Sequence, residues 1–210
     1  MSAPAGLATK SVAARLMQGA VLLAAVTVIS GCAHPLAISP DITKIEPARN
    51  VQPIDRNVGY YIAAATRESA VTTPGGGGDS VTYHPYRDIE AAFYKMLDNV
   101  FGNVTLLQSP NDAEAIARHS INYIVTPVIK ADSSSPSPFT WPPTTFTFNL
   151  TCNITDSAGN PVGKPSVTGA GQAEFSEFKS DVSLSGKRAT QDALLKMQDL
   201  MLQLPELRSR

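Results

Sequence analysis

From Thr145 to Asp156 the chain alternates without a break, with Phe146, Phe148, Leu150, Cys152 and Ile154 on one side and Thr147, Asn149, Thr151, Asn153 and Thr155 on the other. A period of two puts the apolar set on one face of a pleated strand and the polar set on the opposite face. Such a strand belongs at or near the centre of a sheet with one wet face, and its apolar face needs a second layer to cover it. Ser157-Ala158-Gly159-Asn160 then turns the chain into a weaker strand over about Val162 to Phe175, where Gly169 and Gly171 mark a bulge or a close backbone approach.

Two stretches of helical period supply the covering layer. Behind Pro85, the residues Ile89, Ala92, Phe93, Met96, Leu97, Val100 and Phe101 recur on one helical stripe, and Gly102 stands where a left-handed cap is wanted. From Lys187 to about Leu204, the residues Ala189, Ala193, Leu194, Met197, Leu200, Met201 and Leu204 gather on one side, and Pro205 ends the helix. Leu195 and Leu202 lie on its other side, between Gln191 and Gln198, as a narrow second seam. They are either singly exposed leucines or a contact for a partner or a second copy of the chain.

Ser109-Pro110 opens a shorter helix with the small apolar face Ala113, Ile116 and Ala117. Strands are expected over Asn57–Thr66, Ser80–His84, Asn103–Gln108 and Asn122–Ala131, the last an edge strand or bulge because Pro127 cannot donate to a ladder. These elements predict an α+β fold: a mainly antiparallel, mixed sheet with two long helices and one short helix packed on one face, as a two-layer sandwich.

The first 31 residues read as an address. Lys10 and Arg15 occur there without an acid, an apolar run extends from Ala20 through Ile29, and small residues follow. The run is shorter than the roughly 20 residues that span a bilayer comfortably. Ile29-Ser30-Gly31-Cys32 closes it, in the order branched apolar, small, glycine, cysteine. This resembles the lipobox of bacterial lipoproteins, and the resemblance implies cleavage before Cys32 and a diacylglyceryl group on its thiol. Ala33, rather than an aspartate, follows the cysteine, which by the same resemblance favours the outer membrane, on its periplasmic face.

From Ala33 to Arg56 the chain carries Pro35, Pro40, Pro47 and Pro53 and no sustained period, so it reads as an extended tether with an r.m.s. span of roughly 25 to 30 Å. The expected division is therefore signal peptide 1–31, lipidated N-terminus and tether 32–56, one periplasmic domain 57–204 and a tail 205–210.

Little in the sequence points to chemistry. Losing Lys10 and Arg15 with the signal peptide takes the formal charge from −1 to −3, which argues against nucleic acid as a partner. Gly75 to Gly78 form a glycine run, but Asp79-Ser80 stands where a phosphate loop needs Gly-Lys-Ser/Thr, so the run reads as a hairpin connection. His34, His84 and His119 lack metal-ligand spacing. Cys152 reads as a small core hydrophobe, and the close acids Asp88 and Glu90, or Glu174 and Glu177, as solvated surface. No enzyme activity, metal or cofactor is expected beyond the covalent lipid.

The lipobox, the strand ending in Tyr83-His84-Pro85-Tyr86, the helix to Phe101, the strand pair around Asp156-Ser157-Ala158-Gly159 and the alanine-rich last helix resemble small proteobacterial lipoproteins of the YajG-like kind. More distantly they are similar to lipopolysaccharide-assembly and transporter-auxiliary lipoproteins. The resemblance implies an accessory or assembly subunit of the cell envelope, acting through a protein partner. Phe139 and Trp141, on a loop rich in serine and proline, are the candidate contacts, with the alternative that Trp141 folds back over the core. A rival expectation is a lipid or glycan carrier, or sensor, with a groove between sheet and helices.

Overall fold

The computed structural model describes residues 33–136 and 141–208. In chain order its strands and helices are β1 (Ala33–Pro35), β2 (Arg56–Tyr60), α1 (Ala64–Arg67), β3 (Val71–Pro74), β4 (Ser80–Tyr83), α2 (Pro85–Phe101), β5 (Gly102–Leu106), α3 (Ala113–Arg118), β6 (Tyr123–Ser134), β7 (Thr145–Asp156), β8 (Pro161–Gly163), β9 (Ser166–Gln172) and α4 (Leu184–Gln203). The fold is α+β, with mixed sheets and two long helices. The larger sheet runs β5-β2-β6-β7, and β8 and β9 both pair with the far side of β7. Its β5, β2 and β6 are mutually parallel, while β6, β7 and β9 are antiparallel. A smaller sheet, β1-β4-β3, abuts the end of β6.

The alternation along β7 does what its period requires. Phe146, Phe148, Leu150, Cys152 and Ile154 are all buried under α2 and α4, whose own periodic apolar residues, Leu200 excepted, complete the core. Between α4 and β9 the packing is closer than ordinary side chains permit. A Cβ on Gly169 would overlap the Ala189 carbonyl, and one on Gly171 would overlap the Ser185 carbonyl, both helix backbone. The two glycines therefore mark a close backbone approach and not a bulge. On the outer edge of β9, the Ala170 N–H donates to Asp192 Oδ2 at 2.9 Å, so α4 also closes that edge.

Pro127 sits on no bulge, and β6, an inner strand at its start, is an edge where Pro127 stands. β6 pairs with β7 along its whole length, but with β2 only as far as Val125. Cys152, opposite Pro127, donates its N–H outward to the Pro165 carbonyl at 3.0 Å, so at this pair the backbone groups of the two strands point apart. The missing donor of Pro127 thus falls on the side where β2 has already ended. At the next residue of that side, Ile129 N–H finds the Tyr86 hydroxyl of α2 at 3.0 Å.

The short helix α3 lies on the reverse face, beside β5 and β2, and not with the long helices. Its Ala115 and Ile116 pack with Leu107, Ile121 and Ile124, apart from the main core. The reason is topological: the chain crosses from β5 to β6 over β2, and Ile124 points opposite to its neighbours Tyr123 and Val125, which belong to the main core.

The largest departure from expectation is the segment read as a tether. Residues 33–56 form a strap along the seam between α2 and α4, with Leu36 (7% exposed), Ile38 (0%), Ile45 (1%) and Ile54 (2%) in the core. Side chains of other elements satisfy its backbone. Thr190 Oγ1 donates to the Ile38 carbonyl at 2.8 Å, Asn99 Nδ2 to that of Ile45 at 3.0 Å and Gln198 Nε2 to that of Glu46 at 2.9 Å. Asp88 Oδ2 accepts the Ile38 N–H at 3.2 Å, which makes this acid part of the packing and not solvated surface. Pro40, Pro47 and Pro53 lack an N–H to satisfy, so they suit the part of the strap beyond β1, which has no ladder partner. The tail also departs from expectation: Leu207 is fully buried, and Arg208 donates to the carbonyls of Leu202 and Gln52.

The second seam on α4 is largely buried. Leu202 is 6% exposed and Leu195 half-buried against the main core, while Gln198 between them is buried and bonded to Asn99 and Glu46. Leu202 is therefore a core residue and Leu195 partly one, and Gln198 between them is the seam residue that bonds the N-terminal strap.

Candidate functional site

The ends of six strands come together around Ala33. Ala33 of β1 pairs with Ser80 of β4, and Ser80 with Pro74 of β3. Ser133 Oγ donates to the Pro74 carbonyl at 2.6 Å, and the line continues through Ser134 of β6, Thr145 of β7 and Gln172 of β9. Gly75 to Gly78 form the turn of the β3–β4 hairpin, held by the Gly75 N–H donating to the Asp79 carbonyl at 2.9 Å. An open cleft of about 760 Å3 lies against this hairpin, lined by Thr72 to Ser80 with Ser135 and Pro136.

Trp141 is drawn into this cluster. Its ring lies on the His34 imidazole, with centroids 4.1 Å apart and planes tilted by 30°, and its carbonyl accepts the Gly76 N–H at 3.0 Å. His34 Nε2 stands 3.4 Å from Asp79 Oδ2, so the strand that follows Cys32 and the glycine turn share a polar contact under the indole. Trp141 also packs against the core, which is the fold-back alternative for this residue. The loop is tied to α4 where Ser185 Oγ donates to the Pro143 carbonyl at 2.6 Å.

Past Gln172 the chain presents Phe175, 67% exposed. The Ala173 N–H still bonds the Thr144 carbonyl at 2.9 Å, so Phe175 sits two residues beyond the last rung, at the same end of the sheet. Arg188, donating Nη1 at 3.0 Å and Nη2 at 2.7 Å, braces this turn and holds the Glu177 carboxyl down to about 2, helped by the Glu174 N–H. Glu177 is therefore an ion-pair partner, not a free surface acid.

The other residues singled out from sequence do not converge here. Glu90 accepts Arg67 through both oxygens at 2.8 and 2.7 Å, tying α1 to α2, and burial, with the nearby Glu90 charge adding to it, pushes the Tyr60 hydroxyl up to about 12. His84 bonds the Glu68 carbonyl at 3.1 Å, and the His119 carbonyl accepts from Asn57 at 2.9 Å. Burial pushes the Cys152 thiol up, away from the reactive thiolate form. Among the described residues no three His, Cys, Asp or Glu side chains gather as a metal would need. Ile29, Ser30, Gly31, Cys32 and Phe139 lie outside the described residues.

Sequence reasoning passed over His34, Asp79 and Phe175. The first two meet only through strand pairing over 45 positions, which no local pattern reports. Phe175 did carry a signal, as a lone large apolar residue between Glu174 and Ser176 at the end of a weak strand.

No family model matches the chain. No curated protein matches it either. Among solved structures it is similar to a Xanthomonas campestris protein from a family of undefined function, with a TM-score of 0.48 and 10% identity over 85% of this chain and 99% of that one. It is also similar to a candidate lipoprotein from Caulobacter crescentus, with a TM-score of 0.29 and 13% identity over 49% of this chain and 81% of that one.

Proposed function

We propose that this chain is a lipoprotein of the bacterial envelope, anchored through lipid on Cys32, that acts as a non-catalytic accessory or assembly subunit. One observation carries the anchoring: the compact unit Ala33–Arg210 starts with β1, at the residue that follows the lipobox cysteine. Processing before Cys32 removes the signal segment and leaves the core residues of the described part, from Leu36 onward, in place. Among the described residues no helix is long and apolar enough to cross a membrane, which fits attachment by lipid. Ala33 in place of an aspartate favours the outer membrane and its periplasmic face.

The accessory role is favoured over the lipid or glycan carrier because the space between sheet and long helices is filled by one continuous core, to which the strap adds Ile38, Ile45 and Ile54. A partner then binds an outer surface. The YajG-like resemblance and its assembly role belong to this proposal.

Mass spectrometry of protein made in cells should find the mature N-terminus at Cys32 carrying a diacylglyceryl mass, and Cys32→Ser should move most of the protein from the membrane pellet to the supernatant. One acyl chain binds marginally, and two or more hold firmly, so loss of the thiol removes the anchor. An unmodified start elsewhere, or a Cys32→Ser protein that still sediments, rejects the anchor. Crosslinking in intact envelopes should enrich an envelope protein over the Cys32→Ser control; equal recovery rejects the accessory role.

A further inference from the structure

The strap changes where an anchored protein must stand. A free segment of some 24 residues would let the body float roughly 25 to 30 Å away. Here Ala33 is already paired with Ser80, and a single residue spans at most about 3.6 Å. Resting on the lipidation of Cys32 proposed above, we infer that the strand-end surface around Ala33 lies directly against the bilayer, with Phe175 set into its interfacial layer. The occupant of this surface is the lipid itself, because the chain leaves the fold there at the residue joined to Cys32.

Three features agree with that orientation. β1 is parallel to β4 and runs inward from Ala33, so the anchor leaves by the end that carries the glycine turn and the Trp141 loop. Phe175, with its ring in solvent, occupies the same end, as the pairing of Thr145 with Gln172 requires. An exposed aromatic at the level of the head groups trades water for an apolar boundary, and this is where such rings collect on membrane proteins. Charge does not decide the matter: Lys179 and Glu174 are both exposed there, and Lys187 and Arg188 are paired with Asp181 and Glu177.

The opposite end supplies a control. β7 is 12 residues long, so its far turn at Ala158, also exposed, stands roughly 35 to 40 Å from Thr145. Phe175→Cys and Ala158→Cys place single reactive thiols at the two ends, since Cys152 is buried and a lipidated Cys32 carries no free thiol. Both variants are exposed sites that leave the core untouched.

The experiment uses the mature, lipidated protein from membranes, labelled with a nitrobenzoxadiazole fluorophore and reconstituted into vesicles of phosphatidylethanolamine and phosphatidylglycerol containing head-group spin-labelled lipid. Protein without an added cysteine gives the background, and circular dichroism checks the fold. At least threefold stronger quenching at position 175 than at 158, unchanged when phosphatidylglycerol is omitted, is the expected result. Equal quenching at the two positions, with the lipid on Cys32 verified by mass, overturns the membrane-apposed surface and leaves the anchor standing. Absence of the lipid overturns the anchor and this inference together.

Discussion

Asn99 and Gln198 show what single polar side chains do inside this protein. Each lies on a long helix, both are buried, and between them they hold the carbonyls of Ile45 and Glu46 in the strap. A buried donor of this kind is worth more for what its loss exposes than for the bond itself. Asn99→Ala leaves the Gln198 amide oxygen and the Ile45 carbonyl without their donor, at about 1 to 3 kcal/mol for each group stranded. Urea unfolding should show a lowered midpoint with an unchanged slope; a midpoint equal to wild type would mean that the pair holds nothing. Leu202 carries the same lesson for apolar residues, since its place opposite the main stripe of α4 looked like a surface and is in fact buried in the main core.

At the scale of elements, the contact between α4 and β9 is set by absent side chains. Gly171→Ala drives a Cβ into the Ser185 carbonyl and the Ala189 N–H, both helix backbone, so either the helix or the edge strand must shift. Overpacking without a flexible neighbour predicts a loss of about 2 to 4 kcal/mol. Gly163→Ala in β8 is the matched control, because the nearest atom to its new Cβ is Pro165 Cδ at 3.9 Å, an ordinary contact. Thermal unfolding of the two variants should separate them clearly, and equal melting temperatures would contradict the close approach. The alternation that announces β7 says nothing of this contact: β9 shows a glycine at each of two inward positions, and only the helix laid across them explains why.

For the whole molecule, the N-terminal strap decides stability. Fully burying a branched aliphatic side chain is worth roughly 1.5 to 3 kcal/mol, so Leu36, Ile38, Ile45 and Ile54 together contribute roughly 6 to 12 kcal/mol. A domain's entire net stability is of the order of 5 to 15 kcal/mol. A chain beginning at Asn57, which a tether reading would treat as the complete domain, is therefore expected to lose its near-ultraviolet circular dichroism and bind a hydrophobic dye. A chain beginning at Ala33 should melt cooperatively. If the shorter chain unfolds with the same midpoint as the longer one, the strap is dispensable and its buried isoleucines contribute no net stability.

The sequence by itself determined the regular parts. Period two in β7 and period 3.6 in α2 and α4 are local consequences of which faces meet water, and they name the core face of each element, the class of the fold and the lipobox before any coordinates are seen. Tertiary structure alone decided the strap, the side of the sheet taken by α3 and the meeting of His34, Asp79, Trp141 and Phe175 at one end. The physical reason is the same in each case. A segment without a repeating backbone pattern has no period to display, and its apolar residues and carbonyls find partners up to 152 positions away, as Ile38 finds Thr190. Such contacts are written in the packing of other elements, and not in the residues next to them.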